Sequence, residues 1–202
     1  TVNRVENYGQ VIGLTEGEQI TVKNLLYGLL VYSGNDVAYA LADFYPGGRD
    51  VFVAAMNEKA KLLGMENTHF ANPNGQYDSN HYSTAEDLAR LTMYAWRQSE
   101  FREIVGCKEK LVCDVSGQIC HPLVSTNELL GVFPGALGVK TGWTEESKGC
   151  FVGFFDEDDD RQLLSVVLGG QDRFQDTQKL VGWGLVNFSY LPLTQVESIA
   201  GK

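Results

Sequence analysis

Two kinds of periodicity meet near Cys107, and that junction limits the fold more than any other feature of the chain. Upstream, apolar residues recur at helical spacing. Leu25, Leu26, Leu29 and Leu30 form one broad stripe with Val22 on its edge, and Val53, Met56, Ala60 and Leu63 form another. Downstream, Lys108–Val115, Ile119–Leu123, Gly149–Phe155 and Leu163–Leu168 read as strands, before a last helix from about Arg173 to Tyr190 that Pro192 stops. Helices gathered before antiparallel strands define an α+β fold with a helical lobe and a sheet lobe. The 202 residues suit one large domain, and a hydrophobic content of 44% supplies a core.

Local signals refine this outline. Val11–Leu14 reads as a short strand. Thr21 is placed to cap the first helix through the amide of Lys23 or Asn24. That helix breaks at Tyr32-Ser33-Gly34-Asn35-Asp36, where Asn35 or Asp36 is expected to cap the next one. A third helix is expected from about Arg49 to Leu63. Ser83 with Glu86 three residues on suggests a capping box for a fourth, which reaches about Arg97. A short helix follows at Phe101–Val105. The sheet has only two or three convincing strands, so it is either small or lacks its first strands.

The formal charge of −10 argues against a nucleic-acid backbone as partner. The acidic run at residues 156–160 reads as a hairpin tip; a calcium loop needs its ligands at spaced positions. No stretch approaches the roughly 18 apolar residues of a membrane span. No signal peptide is visible, as in a mature or trimmed chain. Cys107, Cys113, Cys120 and Cys150 lack zinc-type spacing; two disulfides in an exported protein are expected, with free buried thiols and a zinc site as the alternatives. The three histidines, His69, His81 and His121, read as loop residues, and no Gly-x-Ser-x-Gly elbow accompanies them. Trp96 and Trp183 read as helix packing residues.

Three short stretches carry chemistry when taken together: Ser33-Gly34-Asn35, the connector Asn72-Pro73-Asn74-Gly75 with Ser83-Thr84-Ala85-Glu86-Asp87-Leu88, and Lys140-Thr141-Gly142-Trp143. Alone, Ser33 and Asn35 would be helix-junction caps, and Lys140 a solvated strand lysine. In this order and spacing they resemble the serine-type D-alanyl-D-alanine carboxypeptidases, the low-molecular-mass penicillin-binding proteins, over roughly residues 10–190. The resemblance implies the transpeptidase-like fold shared with β-lactamases. It also implies a first motif, Ser-x-x-Lys, which holds the nucleophile and its lysine, with Ser33-Gly34-Asn35 as the second and Lys140-Thr141-Gly142 as the third. No serine here has a lysine three residues on. The nucleophile helix and the first strands are therefore expected to be missing, removed or carried on a separate chain, and these residues alone are expected to be inactive.

Residue by residue, the resemblance implies that Ser33 passes protons or holds a lysine in place, and that Asn35 donates its amide to a substrate carbonyl. Lys140 would supply positive field, Thr141 would bind the terminal carboxylate, Gly142 would leave the strand edge open, and the Trp143 amide would form half of an oxyanion hole. Trp143 itself would wall the groove. The implied partners are a peptidoglycan pentapeptide ending in D-Ala-D-Ala and β-lactam antibiotics, with no metal or other cofactor. The implied place is the bacterial cell envelope, secreted or peripherally attached, in cell-wall synthesis and cell shape. Residues 1–191 would form part of one catalytic domain, helical at about 20–105 and sheet at about 106–191, with 192–202 opening a linker or further domain. The alternatives are a non-catalytic peptidoglycan- or protein-binding relative and a β-lactamase-like hydrolase.

Overall fold

The computed structural model describes residues 1–157 and 161–188. Residues 1–20 form a long irregular loop, closed by bonds of 2.8 Å from Val2 N to Glu18 O and from Gly17 N to Val2 O. The strand expected at Val11–Leu14 does not form. The amides of Ile12, Gly13 and Leu14 donate at 2.9–3.1 Å to the carboxylate of Asp36 instead of to a neighbouring strand.

Helix α1 (Val22–Tyr27) starts where Thr21 Oγ1 accepts from Asn24 N at 3.2 Å. It continues as one π-helical turn, Gly28–Tyr32, and ends at Ser33. Helix α2 (Asn35–Phe44) is capped at Gly34, which has no side chain to offer. The expected caps are thus displaced: Asn35 is already in the first turn, and Asp36 serves the loop. Helix α3 spans Gly48–Leu62. Thr84, not Ser83, caps α4 (Ala85–Ala95), accepting from Asp87 N at 3.2 Å, because Ser83 Oγ is engaged 2.8 Å from Thr68 Oγ1. Helix α5 is Ser99–Val105.

The second half follows the expected strand pattern. Strands β1 (Glu109–Cys113) and β2 (Cys120–Val124) form a hairpin. Strands β3 (Ala136–Thr144), β4 (Lys148–Asp156) and β5 (Gln162–Gly170) form an antiparallel sheet in that order, with β3 at one edge. Helix α6 (Arg173–Asn187) closes the described chain. Residues 158–160 of the acidic tip, and the whole of 192–202, lie outside the described residues.

The core is a chain of four clusters that joins the two lobes. Val2, Leu14, Leu25, Val37 and Ala40 bind the N-terminal loop to α1 and α2. Tyr27, Val31, Ile104, Val112 and Leu123 tie the π-helical turn to α5 and the β1–β2 hairpin. Val105, Val139 and Phe154 join α5 to β3 and β4, with Trp96 stacked on Phe154 at 3.8 Å between centroids. Leu129, Phe151 and Phe155 pack against Val181 of α6. Trp183 departs from its expected packing role: it is 55% exposed, and its aromatic neighbour among the described residues is Phe188, met edge-on.

Two further expectations change. Cys113 and Cys120 face each other in the hairpin register and form a disulfide, but Cys107 and Cys150 are free thiols. Cys107 follows α5 and donates to Glu109 O, and Cys150 lies on β4 and donates to Ser147 O, so each points into its own local turn. His121 is not a loop residue. It lies buried on β2, with Nε2 2.8 Å from Glu18 Oε1 and Nδ1 3.0 Å from Ile12 O, and pins the N-terminal loop to the hairpin. His69 remains in the connector, bridged to Tyr82, and His81 accepts from Ala71 N. Among the described residues no His, Cys, Asp and Glu cluster could hold a metal, and no helix is long and apolar enough to cross a membrane.

Candidate active site

The site forms where the end of the π-helical turn meets the edge strand. A π-helical turn carries an extra residue per turn, and such turns cluster at functional sites. Here it delivers Ser33 in the left-handed region, φ 69° and ψ 42°. For a residue with a Cβ that conformation costs on the order of 1–2 kcal/mol, so the surroundings must enforce it. Thr126 N donates to Val31 O at 3.2 Å, and Gly34 N donates to Gly28 O at 3.0 Å. The Gln10 side-chain amide donates to Tyr32 O. The Asn35 amide donates to Gln10 O at 2.7 Å. These bonds satisfy backbone groups freed by the break, three of them from outside the helix.

Strand β3 supplies the opposite wall. Alternation along a strand sends neighbours to opposite faces. Val139 is buried against Val105 and Phe154, and Thr141 is 8% exposed, while Lys140 turns the other way. Its Nζ donates to Ser33 Oγ at 2.6 Å across 107 residues of sequence, and to the Thr141 carbonyl at 2.9 Å. Burial of the ammonium and, second, the charge of Arg173 lower the Lys140 pKa from 10.5 to about 8. Its neutral form is therefore within reach of neutral pH, as proton transfer requires.

The other residues of the second and third motifs are arranged less uniformly. Asn35 Nδ2 donates to Tyr8 O at 3.0 Å, which uses one of the two amide protons. Thr141 Oγ1 lies 2.6 Å from Thr126 Oγ1; a hydroxyl both donates and accepts, so it retains capacity for another partner. Gly142 is exposed and pairs in register with Cys150. Trp143 is 63% exposed beside it. Because β3 is an edge strand, one side of its backbone has no neighbouring strand among the described residues, the condition for adding an extended peptide.

Sequence reasoning overlooked two participants. Arg173 opens α6 and donates through Nη1 to Gly142 O at 3.2 Å, while its Nε is buried with no hydrogen-bond partner among the described residues. A cation in the first turn of a helix opposes the helix dipole, and that local conflict is a signal legible in sequence. Thr126 left no such signal: it lies in an irregular turn and meets Thr141 only through tertiary folding.

Known proteins resemble this chain in sequence and in fold. The sequence profile of the D-alanyl-D-alanine carboxypeptidase family, peptidase family S11, matches residues 2–172. The D-alanyl-D-alanine carboxypeptidase DacF of Bacillus subtilis is 35% identical over 197 residues, covering 96% of this chain and 50% of that protein. A D-alanyl-D-alanine carboxypeptidase of Streptomyces sp. strain K15 is 36% identical over 184 residues, covering 85% and 63%. The chain thus spans between half and two thirds of the length of these relatives. Among solved structures, the Streptomyces K15 DD-transpeptidase superposes with a TM-score of 0.83 at 34% identity, over 88% of this chain and 72% of that one. A penicillin-binding protein homolog from Mycobacterium tuberculosis superposes with a TM-score of 0.82 at 32% identity, over 95% and 73%. The α+β architecture is that of the penicillin-binding DD-peptidases. With a profile match over most of its length and these relatives in agreement, the chain belongs to the D-alanyl-D-alanine carboxypeptidase family.

Proposed function

We propose that this chain provides the second and third motif walls of a serine-type D-Ala-D-Ala carboxypeptidase that trims the terminal D-alanine from peptidoglycan stem peptides. The observation that carries the reading is the Lys140 Nζ to Ser33 Oγ bond of 2.6 Å, which joins two motifs far apart in sequence into one proton-transfer pair. A nucleophilic serine from outside these residues attacks the carbonyl of the penultimate D-alanine. Its ester bond to that carbon forms as the C–N bond to the last D-alanine breaks. Water then cleaves the ester.

Ser33 and Lys140 pass the serine proton toward the leaving amine nitrogen. Lys140 and Arg173 flank Thr141 and Gly142 with two positive charges, which suits a substrate carrying a C-terminal carboxylate. Asn35 and the open side of β3 hold the peptide backbone. The Trp143 amide is half of the oxyanion hole. β-Lactams acylate the same serine. The family profile over 2–172 supports reading residues 1–191 as part of one catalytic domain, and the family's chemistry supports an extracytoplasmic, envelope location.

Intact-mass analysis with and without penicillin tests the reading first. A nucleophile-bearing polypeptide in the sample, or the chain extended to include its Ser-x-x-Lys segment, gains one penicillin mass. In that enzyme Lys140→Ala slows acylation by about 100- to 1,000-fold, the usual loss of one transition-state charge donor. Undiminished acylation of Lys140→Ala would remove Lys140 from the mechanism. No adduct in any nucleophile-containing form would leave the groove a binding surface.

A further inference from the structure

The loop at Tyr8-Gly9-Gln10 lies far from both motifs in sequence and packs directly on the first of them. Asn35 is gripped there on two sides: its backbone amide donates to Gln10 O at 2.7 Å, and its side-chain Nδ2 donates to Tyr8 O at 3.0 Å. The Gln10 side chain holds the Tyr32 carbonyl, one residue before Ser33. Between these anchors Gly9 adopts φ 69°, and a Cβ placed there would stand 2.7 Å from Asn35 Nδ2. The absence of a side chain at Gly9 is what lets the loop backbone reach the asparagine amide. Asp36, next to Asn35 in the chain, fixes the same loop by accepting the amides of Ile12, Gly13 and Leu14.

We propose that Gly9 and Gln10 are positioning residues: the Tyr8–Gln10 backbone acts as a template that fixes the Asn35 amide rotamer and the left-handed Ser33 turn for substrate. This rests on the carboxypeptidase reading for its substrate role. With one Nδ2 proton committed to Tyr8 O, the other proton and Oδ1 have fixed directions and are presented for a peptide carbonyl and amide. An unanchored asparagine would pay rotamer entropy on each binding event. Nδ2 ends a flexible side chain, so a methyl at position 9 displaces the amide rather than the loop. The effect of Gly9 therefore passes through Asn35.

The comparison of Gly9→Ala with Gly17→Ala isolates this effect. Gly17 lies in the same loop at φ 85°, and a Cβ there would meet nothing within 4 Å. Both substitutions impose a side chain on left-handed backbone, so both lower the melting temperature by similar amounts. In the nucleophile-containing enzyme, Gly9→Ala should lower kcat/KM for an acyl-D-Ala-D-Ala peptide by about tenfold, the worth of one well-aligned hydrogen bond. Gly17→Ala should change it less than about twofold. In an Asn35→Ala background, Gly9→Ala should add nothing further, because its target is gone. Equal losses in the two glycine variants, or additivity with Asn35→Ala, would overturn the proposal. A second readout needs no catalysis: in 15N-labelled 202-residue protein, the Asn35 side-chain NH2 resonances should shift in Gly9→Ala and stay put in Gly17→Ala. Unmoved resonances in Gly9→Ala would sink the positioning role. Wild-type enzyme that neither cleaves the peptide nor binds penicillin would instead sink the carboxypeptidase reading and the substrate role with it, while the resonances still decide whether Gly9 sets Asn35.

Discussion

The two walls of the site are built on opposite principles. The β3 wall is held by apolar burial: Val139 packs on Val105 and Phe154, and the regular antiparallel ladder to β4 sets where Lys140 and Thr141 stand. The Ser33 wall is held by polar bonds from distant segments. Thr126, Gln10 and Tyr8 reach it from both sides of the sequence, and Asp36 fastens the loop that carries two of them. A ladder tolerates change because many small contacts share the load. A left-handed turn has few partners, so each matters more.

The largest expected effect follows from that difference. Asp36 is 1% exposed and accepts four backbone amides, counting that of Val37 at 2.9 Å. Asp36→Ala leaves buried donors unpaired and should cost about 3–5 kcal/mol. Val139→Ala on the other wall removes two buried methyl groups and should cost about 2 kcal/mol. Urea unfolding of the two variants checks the order; a larger loss for Val139→Ala would reverse the comparison.

The next effect is electrostatic. Lys140 has a folded pKa of about 8 against an ordinary value of 10.5. Between those values the folded state has shed a proton that the unfolded chain still holds, so stability rises with pH from about 8 to 10.5 as the penalty of the enclosed ammonium is relieved. Below about 8 both states are protonated and the full penalty of the enclosed ammonium remains. Lys140→Met should therefore be more stable than wild type at neutral pH, with the gap narrowing as pH climbs from about 8 toward 10.5. Thermal melts at several pH values measure this, and a constant gap would refute the burial argument.

Arg173→Gln sharpens the same point on a smaller scale. Removing the second cation should move the Lys140 midpoint upward from about 8, toward but short of the ordinary value, because burial is the larger cause. NMR titration of the Lys140 side chain follows it; an unmoved midpoint would mean that Arg173 does not reach Lys140 electrostatically. Smallest of all, Thr126→Val removes the hydroxyl contact to Thr141 and should cost about 1 kcal/mol. Its reading is the denaturant midpoint, and a loss as large as that of Asp36→Ala would mean that the two walls are equally sparse.

The two walls also differ in how far sequence discloses them. Strands β4 and β5 are legible from their apolar runs, because a ladder and a two-residue period leave few alternatives. The helices are legible with ends displaced by a residue or two, as at Thr84 in place of Ser83, since neighbouring hydroxyls compete for one cap. The N-terminal loop imitates a strand. Val11–Leu14 has the side chains of one, yet its amides belong to a carboxylate that follows two helical segments later. His121 escapes sequence reasoning for the same reason: what a side chain meets far along the chain leaves no trace in its neighbours.

Residue types and their order by themselves determined the α+β class, the motif residues Ser33, Asn35 and Lys140, and membership of a family. Tertiary structure alone decided that Lys140 Nζ sits 2.6 Å from Ser33 Oγ, that Arg173 joins them, and that the Tyr8–Gln10 loop grips Asn35. The division has a physical cause. Periodicity and capping are local free energies, fixed by residues within a turn of each other, whereas a site is a set of distances among segments that only the packed core brings together.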